Sequence, residues 1–145
     1  MKLLVQKVLS ASVTVQNKSV AAIENGLLVF IGIEKGDTPQ QASYLAKKIA
    51  SLRIFTDNQD KMNLSIKDVN GEILVVSQFT LAADLSRGNR PGFDHAAAPD
   101  IAESLYLFFV QELKSYNLPV QTGIFQADMK VALINDGPCT FLLSK

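Results

Sequence analysis

The stretch NGLLVFIGIEKGDTPQQASYLAKKIAS, residues 25–51, sets the class of fold. Leu27 to Ile33 is an almost unbroken apolar run, the pattern of a strand buried on both faces and therefore central in its sheet. Asn25-Gly26, just before it, reads as a tight turn, since both residue types tolerate positive φ. Beyond it, Thr38, Pro39 and Gln41 form a capping box with proline at the first helical position. Ala42, Leu45, Ala46, Ile49 and Leu52 then recur at spacings of three and four. This predicts a helix that lays one stripe on a sheet while Lys47 and Lys48 face water. A buried strand feeding an amphipathic helix makes this a mixed α and β chain.

On the N-terminal side, Leu3 to Val15 is rich in β-branched residues with partial alternation, which favours strands bent near Ser10-Ala11-Ser12 and followed by a turn at Gln16-Asn17-Lys18. On the C-terminal side a strand is expected over Arg53 to Thr56, then a polar loop over Asp57 to Asp60. Asn70-Gly71 is the strongest hairpin signal in the chain and predicts that Ile66-Lys67-Asp68 pairs with Glu72 to Gln78. A loop too long to be a mere connection spans Ala82 to Ala98. A second helix is predicted from Pro99-Asp100 to about Asn117, with Ile101, Leu105, Phe108, Phe109 and Leu113 as its apolar side. Strand-like pieces follow at Val120 to Thr122, Met129 to Ile134 and Thr140 to Leu143, with Asn135-Asp136-Gly137-Pro138 as a turn between the last two. The expectation is one domain over residues 1–145: a mostly antiparallel or mixed, barrel-like β-sheet with two helices against one side.

Fourteen basic and fourteen acidic side chains cancel. No global positive field grips a long nucleic acid, so RNA contact has to be local and DNA is not an expected partner. The single cysteine, Cys139, cannot form an intrachain disulfide or build a zinc ribbon, which points to a reducing compartment. The N-terminus lacks the continuous apolar core of a secretory signal, and no segment has the length of apolar sequence a membrane helix needs. The reading is a cytoplasmic protein with no membrane partner.

No nucleotide-binding, dinucleotide-binding or zinc-protease motif occurs, so neither a cofactor nor a metal is expected. With one histidine, His95, a Ser-His-Asp relay would have to use this loop residue with Ser77, Ser86 or Thr80. A lone loop histidine is more often solvated. Ser77-Gln78-Phe79-Thr80-Leu81 is odd for its context, because the buried strand Ile73 to Val76 runs straight into polar side chains. A strand end presents such groups rigidly to a pocket, though a plain terminus with backbone-capping hydroxyls reads the same way. The loop Ser86-Arg87-Gly88-Asn89-Arg90-Pro91-Gly92-Phe93 offers Arg87 and Arg90, with a nearby aromatic, as candidate tRNA contacts.

Eight ordered blocks resemble the D-aminoacyl-tRNA deacylase family: VQKV around Gln6, GLLVFIGIEK from Gly26, LRIF from Leu52, KMN from Lys61, SQFTLAAD from Ser77, RGNRP from Arg87, TGIFQADM from Thr122 and NDGPCT from Asn135. The resemblance spans the chain, and SQFTL and NDGPxT are its most specific parts. It implies hydrolysis of the ester joining a D-amino acid, or glycine mischarged on tRNA(Ala), to the 3′-terminal adenosine of tRNA. It implies a homodimer in which a cis Gly137-Pro138 bond enters the partner's site and turns backbone oxygens toward the substrate α-carbon. Ser77, Gln78, Phe79 and Thr80 would line the catalytic site, and Asn135, Lys7 and Met129 would join Gly137 and Pro138 in substrate binding and chiral selection. Accounts of the family favour help from the ribose 2′-hydroxyl, with a nucleophilic threonine as the alternative. Thr80 is read here as shaping the pocket, because an unassisted threonine hydroxyl is a poor nucleophile at neutral pH.

Three positions depart from the pattern. Lys7 stands where relatives have arginine, Gly92 where serine is expected, and Cys139 where valine is expected. Two competing readings are a non-catalytic tRNA-binding or editing-accessory module on the same scaffold, and a small-molecule esterase using His95.

Overall fold

The computed structural model describes residues 1–86 and 88–145. Among them the chain forms β1 (Lys2–Val15), β2 (Lys18–Ile23), β3 (Gly26–Gly32), α1 (Pro39–Ser51), β4 (Phe55–Thr56), β5 (Met62–Leu64), β6 (Glu72–Ser77), a 3-10 turn (Phe79–Ala82), α2 (Pro99–Ser115), β7 (Val120–Thr122) and β8 (Met129–Ser144). The sheet is mixed, in the order β2-β1-β3-β6-β7, with β8 on the free side of β1. β1 is antiparallel to β2, β3 and β8, while β3-β6-β7 is parallel and is connected through the two helices. β4 and β5 form a separate small hairpin.

The apolar run of β3 is central, as its composition requires, and it feeds two cores. Leu27, Val29 and Ile31 join Leu3, Val5, Ile73 and Val75 beneath Leu45, Ile49, Phe109 and Leu113 of the helices. Leu28 faces the other way, with Leu74, Val76, Val8, Val13 and Ile23. Strict alternation on β3 and β6 sends neighbouring side chains into different cores, which is why no polar face is visible in either strand. Thr38 and Gln41 close the predicted capping box on α1, and Ala42, Leu45, Ala46 and Ile49 are buried.

Four local readings are corrected. Asn25-Gly26 does not reverse the chain: Ala11 pairs with Ile23 and Val8 with Gly26 in one constant register, so β2 and β3 run on along β1. Gly26 is small because a Cβ there would collide with the Glu72 backbone. β1 itself runs unbroken, but Leu3 and Val5 face the first core while Val8, Ala11 and Val13 face the second, and the positions turned to that second core switch from even to odd between Val8 and Ala11, so the ribbon turns over close to the expected bend. Asn70-Gly71 ends a helical turn instead of a hairpin. Asn70 has φ of 50°, its N–H reaches the Lys67 carbonyl at 3.1 Å and that of Gly71 the Ile66 carbonyl at 3.0 Å, the bonding of a Schellman cap. Residues 135–138 are not a turn between two strands either, since β8 continues past them along the same β1. On α2, Tyr106 and Val110 are buried, whereas Ile101 and Phe108 are exposed; the buried stripe lies a little further round the helix than its most apolar positions suggest.

The curl of the sheet is closed by one side chain. The Gln121 amide of β7 accepts from the Ala22 N–H at 3.1 Å and donates to the Ala22 carbonyl at 2.5 Å, standing in for a strand neighbour. Replacing Gln121 with alanine removes both bonds and is expected to cost about 1–3 kcal/mol; a denaturant midpoint equal to that of the parent would exclude this closure role.

Candidate active site

β6 ends where its polar residues begin. The Gln78 N–H makes a last ladder bond to the Ile31 carbonyl at 2.8 Å, after which Phe79–Ala82 coils into the 3-10 turn. Ser77, Gln78 and Phe79 therefore stand at the rim of a pocket of about 820 Å³. Ile31 and Val76 lie beneath them, Ala97, Pro99 and Ala102 at the start of α2 form one wall, and Phe125 to Val131 form the other. Met129, expected in substrate binding, is part of that second wall. Tyr106 supports the floor: its hydroxyl donates to the Val75 carbonyl at 3.1 Å and its ring lies 5.8 Å from that of Phe125. Burial pushes the Tyr106 hydroxyl up to about 12, so it remains a neutral donor there.

Thr80 is exposed and is not among the residues that line the pocket. Its Oγ1 accepts a hydrogen bond from Gln78 Nε2. A hydroxyl oxygen used as an acceptor is not activated as a nucleophile, and an adjoining general base is what threonine needs. His95 does not supply one; it is exposed, lies outside the pocket lining, and is tied down by its backbone carbonyl, which accepts from Lys35 N–H at 2.9 Å. The N–H groups of Phe79 and Thr80 head the 3-10 turn and have no acceptor within it; of the two residues, Phe79 lines the pocket.

Gly32, which composition alone does not single out, makes this turn possible. A Cβ there would lie 2.7 Å from the Leu81 Cβ and 3.0 Å from the Gln78 carbonyl oxygen. The only hint in the sequence is a glycine inside an apolar strand, a sign of close backbone approach. Phe125 and Tyr106 gave no such hint.

The remaining expected residues form a second group, apart from this pocket. None of Lys7, Asn135, Gly137 and Pro138 is among its lining residues. On β8, Thr140 faces Gln6 and Asn135 faces Val8, so the residues between them bulge out opposite Lys7 alone. The base of this bulge is tightly held. Asn135 Nδ2 donates to the carbonyls of Lys7 at 3.0 Å and Cys139 at 3.3 Å, and Gln6 Nε2 donates to Thr140 Oγ1 at 3.2 Å. Lys7, only 6% exposed, reaches Asp136 with its ammonium at 3.0 Å. Gly137 and Pro138 stand exposed at the tip, joined by a cis peptide bond.

The loop over the 3-10 turn is pinned at Asp84 and Gly92, which exchange backbone hydrogen bonds of 2.8 and 2.9 Å, and its Phe93 ring sits 5.0 Å from that of Phe79. Arg90 is exposed on it; Arg87, the other basic candidate, lies outside the described residues. Among those residues no three His, Cys, Asp or Glu side chains converge as metal ligands do.

A profile described as D-Tyr-tRNA(Tyr) deacylase matches residues 4–144. The chain belongs to that family. The D-aminoacyl-tRNA deacylase of Geotalea uraniireducens is 55% identical over 143 residues, which cover 99% of this chain and 92% of the relative. That of Pelobacter propionicus is 54% identical, with both chains covered completely. The expected enzyme class, a hydrolase of the deacylase family, is met. Among solved structures, the c-Myc DNA Unwinding Element Binding Protein superposes with a TM-score of 0.93 at 39% identity, over 100% of this chain and 99% of that one. A probable eukaryotic D-amino acid tRNA deacylase superposes at 0.81 with 17% identity, covering 98% of this chain and 97% of the other, which establishes the shared deacylase fold.

Proposed function

We propose that this deacylase-family chain hydrolyses the ester between a D-amino acid, or glycine, and the 3′-terminal adenosine of tRNA. It does so as a homodimer in which the Gly137-Pro138 bulge of one subunit closes the pocket of the other. The observation that carries the reading is the split of the expected site into two groups that do not meet within one chain: a pocket rim at Ser77-Gln78-Phe79, and a bulge with a fixed base and an exposed tip. A second copy is the simplest way to unite them. Exposed Leu9, Ile134 and Leu142 lie on the β1-β8 pair that carries the bulge, and among the described residues β8 pairs with β1 alone. A long apolar edge strand of this kind is normally covered.

In the united site, backbone carbonyls at the bulge form a wall beside the α-carbon. Inverting that carbon exchanges hydrogen and side chain, so a wall that accepts hydrogen excludes even a methyl group. Glycine, with hydrogen on both sides, passes. Water attacks the ester carbonyl, and the Phe79 and Thr80 N–H groups take the charge that develops on its oxygen. With Thr80 Oγ1 occupied as an acceptor, the 2′-hydroxyl of the terminal ribose is the better candidate for assisting the attack. Exposed Arg90 is suited to a phosphate of the tRNA end. The function is tested by cleavage of matched D-Tyr-tRNA and L-Tyr-tRNA, where the D form should be favoured about a hundredfold or more. Equal rates sink it. Substrate ending in 2′-deoxyadenosine should be cleaved poorly, and full activity on it would rule out assistance by the ribose.

A further inference from the structure

The β4-β5 hairpin contributes nothing to the pocket, yet it touches both sides of the bulge. Cys139, the residue after Pro138, is 1% exposed; its thiol donates to the Ile54 carbonyl at 3.7 Å and lies 3.7 Å from the Met62 sulfur. On the other side, the Lys7 ammonium that holds Asp136 sits 6.0 Å from the centre of the Phe55 ring. Phe55 and Met62 belong to the two strands of the hairpin, with Phe55 facing Leu64 and Thr56 facing Met62.

A pair of strands this short is not stable by itself, and polar bonds make this one rigid. Arg53 Nε donates to the Asn63 carbonyl at 2.7 Å, and its guanidinium also meets the Asn63 side chain. Asp57 accepts from the N–H groups of Gln59 at 2.8 Å and Lys61 at 3.1 Å, and from Asn63 Nδ2 at 3.1 Å. These bonds, backbone ones first, hold its carboxyl below the usual range and so keep it a charged acceptor. Met62 is the movable link in this frame: it is 54% exposed, and its sulfur rests against the Cys139 thiol. Thioethers fill such gaps because they are unbranched and polarizable.

We propose that the β4-β5 hairpin, acting through Met62 on Cys139, is a positioning element that sets the stance of Gly137 and Pro138 and thereby the strictness with which L-amino acids are refused. The inference rests on the reading that this bulge enforces handedness. Discrimination between hydrogen and methyl leaves little tolerance, and a shift of about 1 Å is enough to change rates a hundredfold. Met62 touches no substrate in this scheme.

The test uses the purified full chain and its Met62→Ala, Met62→Leu and Arg53→Ala variants, with kcat/KM measured on D-Tyr-tRNA and L-Tyr-tRNA and melting followed in parallel. Met62→Ala should raise the L-to-D ratio about tenfold or more with little change in melting temperature, since the truncated side chain is half exposed. Met62→Leu, which refills the gap, should return the ratio toward that of the parent, and Arg53→Ala should move it in the same direction as Met62→Ala. A parent-like ratio in Met62→Ala, or equal losses on both substrates, overturns the positioning role while leaving the handedness reading intact. Absence of discrimination in the parent protein overturns both.

Discussion

Gly137→Phe should leave the chain folded and reduce deacylation of D-Tyr-tRNA more than about a hundredfold. Within its own subunit the position has room. A Cβ there would meet only the Asn135 side-chain oxygen, at 3.7 Å, an ordinary contact, and Gly137 is not in the left-handed region. The bonds that hold the bulge come from Asn135, Asp136 and Lys7, none of which the new ring displaces. Loss of activity in a stable protein would therefore have to come from what the tip enters. If that is the neighbouring subunit's pocket of about 820 Å³, a benzyl group occupies the place of the amino acid. Gly137→Ala should fall between the two, cleaving glycyl-tRNA less efficiently because even a methyl group narrows the wall. A folded Gly137→Phe protein with parental kcat/KM would show that the tip faces open solvent during turnover, and the composite site would have to be abandoned.

What the sequence disclosed, and what it hid, follows from the range of the physics involved. α1 was legible because its cap, proline and apolar stripe are all local signals. The central place of β3 was legible because no exposed strand is apolar at every position. The three misread turns share one cause. Asn-Gly and Gly-Pro report that the backbone needs unusual angles or close approach, and they do not report which strand lies alongside. At Asn70-Gly71 the requirement came from a helical cap, at Gly26 from the Glu72 backbone, and at Gly137-Pro138 from a bulge beside a β1 strand long enough to pair on both sides of it. The exposed Ile101 and Phe108 of α2 make the complementary point, since apolar spacing gives a stripe but leaves its limits to packing. For the site, Ser77-Gln78-Phe79-Thr80-Leu81 stood out through its abrupt change of polarity; its first three residues line the pocket, and Thr80 and Leu81 do not. Lys7 could be linked to the bulge only through family resemblance, because 128 positions separate Lys7 from its hydrogen-bond partner Asn135.

Gly32→Ala should also be nearly inactive, for a reason confined to the pocket. Its added carbon would press on the Leu81 Cβ at 2.7 Å and the Gln78 carbonyl at 3.0 Å. Neither atom is the free end of a flexible side chain, so the 3-10 turn must shift as a body, carrying with it the Phe79 and Thr80 N–H groups. Such overpacking costs about 1–3 kcal/mol of stability, and misplacing oxyanion donors by about 1 Å costs about a hundredfold in rate. The bulge is untouched by this change. Gly32→Ala and Gly137→Phe therefore damage different halves of the proposed composite site, and co-expression of the two inactive chains provides a decisive measurement. Random pairing makes half the dimers mixed, and in each mixed dimer one site combines an intact pocket with an intact bulge, so about a quarter of the parental sites should return. A site contained within a single chain cannot be restored in this way, because every chain in the mixture carries one defect. Activity no greater than the sum of the two variants would mean that pocket and bulge serve the same subunit after all, through a rearrangement that brings them together.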